Sequence, residues 1–328
     1  IEDRMTELKM AGSITNFTTT RKNLPAALEL VFDAMHNSIM PQDEFDQFKK
    51  QMQVMIESMR DKPDALAQNA ITQHFNTYPK GDPRYEYSLD ESLEQLNKLT
   101  VDQVRAFYKE FGGTSRGEIS IVGDFDPKAV EKIIRDDYAK YVSKAHYAPV
   151  VTEYRPVKAT RVVIDTPDKE NAIIVARSVF PINDTAPDAP ALTVANWILG
   201  GGTGLSNRLI ERLRQKEGLS YGAGSHVRIP AKGDNGSFVF RAIVAPQNML
   251  QAEASARDVI AKAIKDGFTD QEVEEAKKGL LQAMQVARSQ DDVVARSWND
   301  KMENPRTWVF SKKQAEAISK LTTADVNA

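Results

Sequence analysis

The chain has 328 residues, a formal net charge of −3, 41% hydrophobic and 27% charged residues, and no cysteine. Disulfides and thiolate chemistry are therefore excluded, and the nearly balanced charge gives no reason to expect nucleic acid. No apolar run reaches the roughly 20 residues a membrane-crossing helix needs, and the length suggests about two domains of ordinary globular composition.

In chain order, Ile1 to Met10 reads as a helix and Ser13 to Thr20 as a strand, with Ile14 and Phe17 set among polar residues. Leu28, Val31, Phe32 and Met35 then recur at helical spacing, and a second helix from about Gln42 to Met59 carries Phe45, Phe48, Met52, Met55, Ile56 and Met59. Pro63-Asp64 opens a third helix, which ends before the turn-rich stretch Asn76 to Pro83. Thr100-x-x-Gln103 is a capping box ahead of Val104, Phe107, Tyr108 and Phe111. Glu118 to Val122 reads as a strand, and Asp126-Pro127 starts another helix. His146 to Lys158, with Pro149 and Pro156, has the composition of a linker. Beyond it, strands are expected at Arg161–Asp165 and Ala172–Phe180, and a helix near Asp188–Leu199. A hairpin of His226–Ile229 and Ser237–Ala245 follows, joined across Asp234-Asn-Gly236. Helices are expected at about Gln247–Lys265, at Asp270–Ser289 behind the capping box Thr269-x-x-Glu272, and at Asp291–Asp300.

The two halves echo each other. Glu44-Phe-Asp-Gln-Phe-Lys-Lys50 is similar to Glu272-Val-Glu-Glu-Ala-Lys-Lys278, Lys98-Leu-Thr100 to Lys320-Leu-Thr322, and Asn23-Leu24 stands opposite Asn248-Met249. These matches lie at a near-constant separation, which suggests a duplicated domain. The expected division is a first domain over 1–145, a linker over 146–160 and a second domain over 161–328. Copy one lacks opening strands that copy two has, and copy two stops where copy one continues toward Val122. Together with the initial Ile1, this reads as a piece of a longer protein.

One stretch organises the second copy: Gly200-Gly-Gly-Thr-Gly-Leu-Ser-Asn-Arg-Leu-Ile-Glu-Arg-Leu-Arg214, continued by Gly218-Leu-Ser-Tyr221. The glycines end the preceding apolar run, Ser206 can cap a short helix, and Leu205, Leu209 and Leu213 are spaced to face a core. Gly218 stops that helix and an extended segment begins, so Arg214 in the last turn and Tyr221 beyond it could converge on one spot. Read without context, Arg214 complements a helix dipole and Tyr221 packs at a strand start. The glycines lack the following Lys-Ser/Thr of a phosphate loop and the spacing Gly-x-Gly-x-x-Gly, which argues against nucleotide binding.

The Arg-x-x-x-Gly-Leu-x-Tyr spacing, behind a glycine-rich helix start, resembles the second domain of a half-molecule in the M16 (insulinase, pitrilysin and processing-peptidase) family of zinc metallopeptidases. The resemblance implies an α+β architecture of two homologous domains, each a mainly antiparallel sheet packed on helices, the first truncated at its N-terminus. It gives Arg214 and Tyr221 a substrate-holding and transition-state-supporting role and, more weakly, places Gly200, Gly201 and Gly202 against substrate. It also implies peptide substrates, and a placement in the bacterial periplasm, with cytoplasm or an organelle matrix left open.

The residues themselves offer no zinc site. A catalytic zinc needs about three His/Glu-type ligands, two of them one helical turn apart. The four histidines, His36, His74, His146 and His226, are isolated from one another and read as surface or capping residues, and Glu57 is the only acid in the second half of its helix. The expectation is therefore no cofactor in this chain, with zinc on the catalytic half of the parent protein, fused or separate, so that this chain alone is inactive. The alternative is a catalytically inert M16-like subunit that scaffolds an assembly.

Overall fold

The computed structural model describes residues 7–11, 14–202 and 207–328. It contains both helices and antiparallel sheet, the α+β class expected from the sequence. Helices α1 (Leu24–His36), α2 (Gln42–Met59), α3 (Pro63–His74), α4 (Leu89–Lys98), α5 (Val101–Phe111) and α6 (Pro127–Asp136) follow strands β1 (Glu7–Ala11) and β2 (Ile14–Thr18). After a long irregular segment come β3 (Ala172–Pro181), α7 (Ala189–Asn196), the one-turn α8 (Arg208–Ile210), β4 (Ser220–Arg228) and β5 (Asn235–Val244). The chain closes with α9 (Met249–Asp266), α10 (Asp270–Ala287), α11 (Asp291–Glu303), α12 (Trp308–Lys320) and α13 (Thr323–Asn327).

The chain divides into two compact units. One comprises residues 1–51, 97–148 and 290–303; the other comprises 52–96, 149–289 and 304–328. In the first, β1 and β2 form an antiparallel hairpin with Leu8 opposite Phe17. Phe17 packs with Ile119, Ile121 and Ile133 against Leu24, Leu28, Val31, Phe32 and Val130, so α1 and α6 share one apolar core. The Thr100–Gln103 capping box forms as expected, and Asp126 caps α6 through the Lys128 and Ala129 N–H groups.

In the second unit the sheet order is β3-β5-β4, antiparallel throughout. One face of it meets α9: Phe240, Ala242 and Val244 of β5 lie with Leu199, Leu209, Leu213, Ala252, Ala256 and Val259. A second cluster joins Val194 and Ile198 to Val273, Ala276 and Ile318, fixing α10 and α12 on the segment that follows α7. The Thr269–Glu272 capping box opens α10.

Three expected elements differ. Glu7–Met10 belongs to a strand rather than a helix, because all four of these residues, with Ala11, pair in register with β2; Ile1 to Thr6 lie outside the described residues. Among the described residues, Glu118–Val122 and Arg161–Asp165 join no sheet. In the first, Ile119 and Ile121 still alternate into the core, so the burial pattern is present without a pairing strand. In the second, Val162, Val163 and Ile164 are all exposed. The β4–β5 hairpin turns at 229–234, with Gly233 at φ +74°, ahead of the expected Asp234-Asn-Gly236.

Candidate functional site

The organising stretch is built on two widened helical turns. Residues Trp197–Gly201 and Glu211–Lys216 are π-helical, and the second follows α8 directly. Such single-turn π segments mark functional sites more often than ordinary helix does. Ser206, the expected cap, lies outside the described residues; the cap seen is Asn207, whose Oδ1 accepts the Ile210 N–H at 2.9 Å. Leu209 and Leu213 are fully buried, as their spacing demands, each worth about 2 kcal/mol of burial. Leu205 lies outside the described residues.

Arg208 ties this stretch to α10. Its Nε and Nη2 donate to Glu272 Oε1 and Oε2 at 2.6 and 2.8 Å, Nη2 also donates to the Gly267 carbonyl at 3.0 Å, and the guanidinium lies 4.6 Å from the Phe268 ring centre. The Arg208 hydrogen bonds hold the Glu272 carboxyl down at about 2, against a burial that pushes it up. The stretch ends at Gly218, φ +62°, a left-handed position suited to glycine, and the Leu219 N–H closes back on the Leu213 carbonyl at 2.8 Å.

Beyond this turn the register of β4 on β5 slips between Ser220 and Gly222, which leaves Tyr221 as the extra residue of a β-bulge. A bulge redirects a side chain and is fixed by local bonding. Here the fixing group is the buried Ser220 hydroxyl. Its oxygen accepts the Gly222 N–H at 3.0 Å and lies 2.7 Å from the Gly222 carbonyl and 2.9 Å from the Ile243 carbonyl, to which it donates. Tyr221 is 65% exposed and Arg214 is exposed too. No hydrogen bond or ion pair joins either to another described residue. A cation and a phenol are thus held outward by anchors, Leu213 and Ser220, that are themselves buried. The bulge, the Ser220 lock and the π turns were not legible in the sequence; the sole trace was a small polar residue between Leu219 and Tyr221.

Gly200, Gly201 and Gly202 are demanded by packing. A Cβ on Gly200 would lie 2.6 Å from the Ser225 backbone nitrogen, one on Gly201 2.2 Å from Asn196 Nδ2, and one on Gly202 2.9 Å from the Trp197 carbonyl oxygen. Gly200 therefore runs against β4, while Gly201 and Gly202 lie close on the preceding turn, at Asn196 and Trp197.

The histidines stay apart. His36 stacks on Tyr141 at 4.6 Å, His74 donates through Nε2 to the Lys158 carbonyl at 2.8 Å, and His146 and His226 are exposed. Among the described residues no three His, Cys, Asp or Glu side chains gather as a metal ion requires, so these residues do not fit a zinc centre. Among the described residues no helix is long and apolar enough to cross a membrane.

Residues 98–280, more than half of the chain, match the family model described as the peptidase M16 inactive domain. An uncharacterized zinc protease of Mycobacterium tuberculosis is 24% identical over 261 residues, covering 79% of this chain and 57% of that protein. A non-peptidase homolog of Helicobacter pylori is 23% identical over 188 residues, 57% of this chain and 42% of that protein. The chain thus spans about half the length of these relatives. Among solved structures, a peptidase M16 inactive domain from Pseudomonas fluorescens superposes with a TM-score of 0.83 at 20% identity, covering 99% of this chain and 77% of that one, a likeness of fold. The chain belongs to the peptidase M16 family, by its inactive domain.

Proposed function

We propose that this chain is the non-catalytic half of an M16-type zinc metalloendopeptidase. With a zinc-bearing half, fused or separate, it encloses a chamber for unfolded peptides and offers Arg214 and Tyr221 to a zinc site carried elsewhere. The observation that carries this reading is the pairing of an outward guanidinium and an outward phenol, each without a partner among the described residues, on segments whose anchors are buried. Side chains held in place with no internal use suit a ligand from outside. Arg214 can hold a peptide carbonyl or carboxylate, and the Tyr221 hydroxyl can donate to an oxygen on which charge develops. Gly200, Gly201 and Gly202 keep the neighbouring turn thin and bound the peptide path on that side. The same proposal reads 1–145 and 161–328 as two copies of one domain, joined by 146–160.

The test starts with zinc content and cleavage of a quenched, unstructured peptide by this chain alone, where neither zinc nor cleavage is expected. In the assembly with the zinc-bearing half, Arg214→Ala and Tyr221→Phe should each lower kcat about 10²-fold or more, the scale of losing one donor to a developing oxyanion. Stoichiometric zinc with activity in the isolated chain, or full activity in both variants, would overturn the proposal. A second reading, an inert subunit that scaffolds an assembly, is favoured by the relative named a non-peptidase homolog. It requires that no zinc-bearing partner and no cleavage be found.

A further inference from the structure

On that reading the chamber wall must also hold the peptide, and the open face of the β3-β5-β4 sheet carries unbalanced positive charge. Strand register places three arginines on this face, opposite the one that packs on α9. Arg177 on β3 stands across Val239 from His226 on β4, Arg241 stands between Val175 and Gly224, and Arg228 stands beside Ser237. With strands about 4.8 Å apart and about 3.4 Å of rise per residue, the three levels on this face, at 237, 239 and 241 of β5, spread the arginines over about 14 Å, a length that an extended peptide can span.

Their charges are poorly matched. Arg177 is half-buried, stacks on Phe75 at 4.8 Å, and leaves its Nε with no acceptor. Burial and then the Arg228 charge both disfavour its cation, with Glu86 acting the other way. Arg228 is exposed with no ion-pair partner among the described residues. Arg241 meets Asp64 at 3.6 Å, both side chains half-exposed. Three guanidinium groups therefore face two carboxylates, neither of them in tight contact.

The shape of the face suits an extended chain. Helix α3 covers the β3 side and leaves a cavity of about 370 Å³, lined by Asp64, Gln68, Thr72, Tyr87, Val175 and Arg241. On the β4 side the open surface is at Gly222, where a Cβ would meet nothing within 4 Å, while at Gly224 a Cβ would lie 3.1 Å from the Gly200 carbonyl oxygen. A backbone can approach such a shelf closely. We propose that this face binds an acidic peptide segment in extended conformation, its backbone passing over Gly222 and its Glu or Asp side chains directed to Arg177, Arg228 and Arg241. Guanidinium forks match carboxylates two bonds at a time, and a carboxylate here would relieve the Arg177–Arg228 repulsion.

The experiment is fluorescence anisotropy of this full chain with a labelled unstructured peptide rich in Glu, compared with versions carrying Gln or Lys at the same positions. It needs neither zinc nor hydrolysis, so a failed peptidase assay alongside an intact acidic preference would sink the function proposed above and leave this site standing. The Glu peptide should bind roughly tenfold tighter than the Gln peptide at low salt, and the gain should fade at high salt. Arg177→Gln with Arg228→Gln should abolish the preference, whereas Arg257→Gln on the exposed side of α9 should leave it intact. Should the double variant fail to fold, Arg228→Gln with Arg241→Gln, both at exposed positions, reads the same effect. Equal binding of Glu and Gln peptides, a preference unmoved by Arg228→Gln with Arg241→Gln, or tighter binding of single-stranded DNA of equal charge would overturn the proposal.

Discussion

Replacing Glu272 by Gln separates two jobs of one side chain. Gln keeps the capping box, because its amide oxygen can still accept from the Thr269 N–H, now made to Oε2 at 2.8 Å. It removes the charge that Arg208 grips at 2.6 and 2.8 Å. In the folded chain the Glu272 carboxyl sits at about 2, against an ordinary value of 4.5, chiefly because Arg208 donates to it. A depressed carboxyl stabilises the fold above its unfolded value, so the contribution is complete above 4.5 and is lost as pH falls from 4.5 toward 2. The full linkage value would be about 3 kcal/mol, but the Arg208 and Glu272 side chains remain 23% and 29% exposed, and solvent screening reduces it to about 1–2 kcal/mol.

The assay is urea unfolding followed by tryptophan fluorescence, for the wild type, Glu272→Gln, Arg208→Gln and the double variant. At neutral pH Glu272→Gln should cost about 1–2 kcal/mol, and a similar coupling should emerge from the cycle of the four proteins. Near pH 3 the cost should fall to about half of that or less, because the carboxyl of the unfolded chain, with its ordinary value of 4.5, is by then mostly protonated. A cost that stays constant with pH, or single effects that simply add, would refute the idea that the ion pair rather than the cap carries the stabilisation.

Gly200→Ala places a methyl 2.6 Å from both the Ser225 nitrogen and its hydroxyl oxygen, and the backbone has to shift; a loss of about 1–3 kcal/mol is expected by urea unfolding, while no loss would mean that the turn does not press on β4. Ser220→Ala removes the buried hydroxyl that locks the bulge and strands the Gly222 N–H, for a loss of about 1–2 kcal/mol. Hydrogen exchange at the Gly222 amide should quicken as well, and unchanged protection there would count against the lock.

What the sequence displayed best was local. Asn23 and Asn248, matched only by their place in two faint repeats, precede α1 and α9 with nearly the same backbone angles, φ −93° and ψ −9° against φ −92° and ψ −4°. The helices matched through Glu44 and Glu272 are both 18 residues long, and the matched Thr100 and Thr322 each open a helix with a capping box. Caps and periodic stripes are decided within a few residues, so they survive in the text of the chain. Strand pairing is decided elsewhere: the alternation of Ile119 and Ile121 and the apolar run Val162–Ile164 looked like strands, yet no partner strand meets them among the described residues. Helix α4 went unread although Ser88 and Glu91 bond reciprocally at its start as a capping box does, whereas the Thr307 side chain makes no capping bond to mark the start of α12. The site divides the same way. Leu209, Leu213 and Gly218 announced where Arg214 would stand, because burial period and a left-handed stop are local signals. The direction of Tyr221 depends on a one-residue slip against β5, and that slip is set by the Ser220 hydroxyl reaching a carbonyl 23 residues away. A residue type can suggest that such a lock is available, but only the assembled sheet determines which carbonyl it reaches.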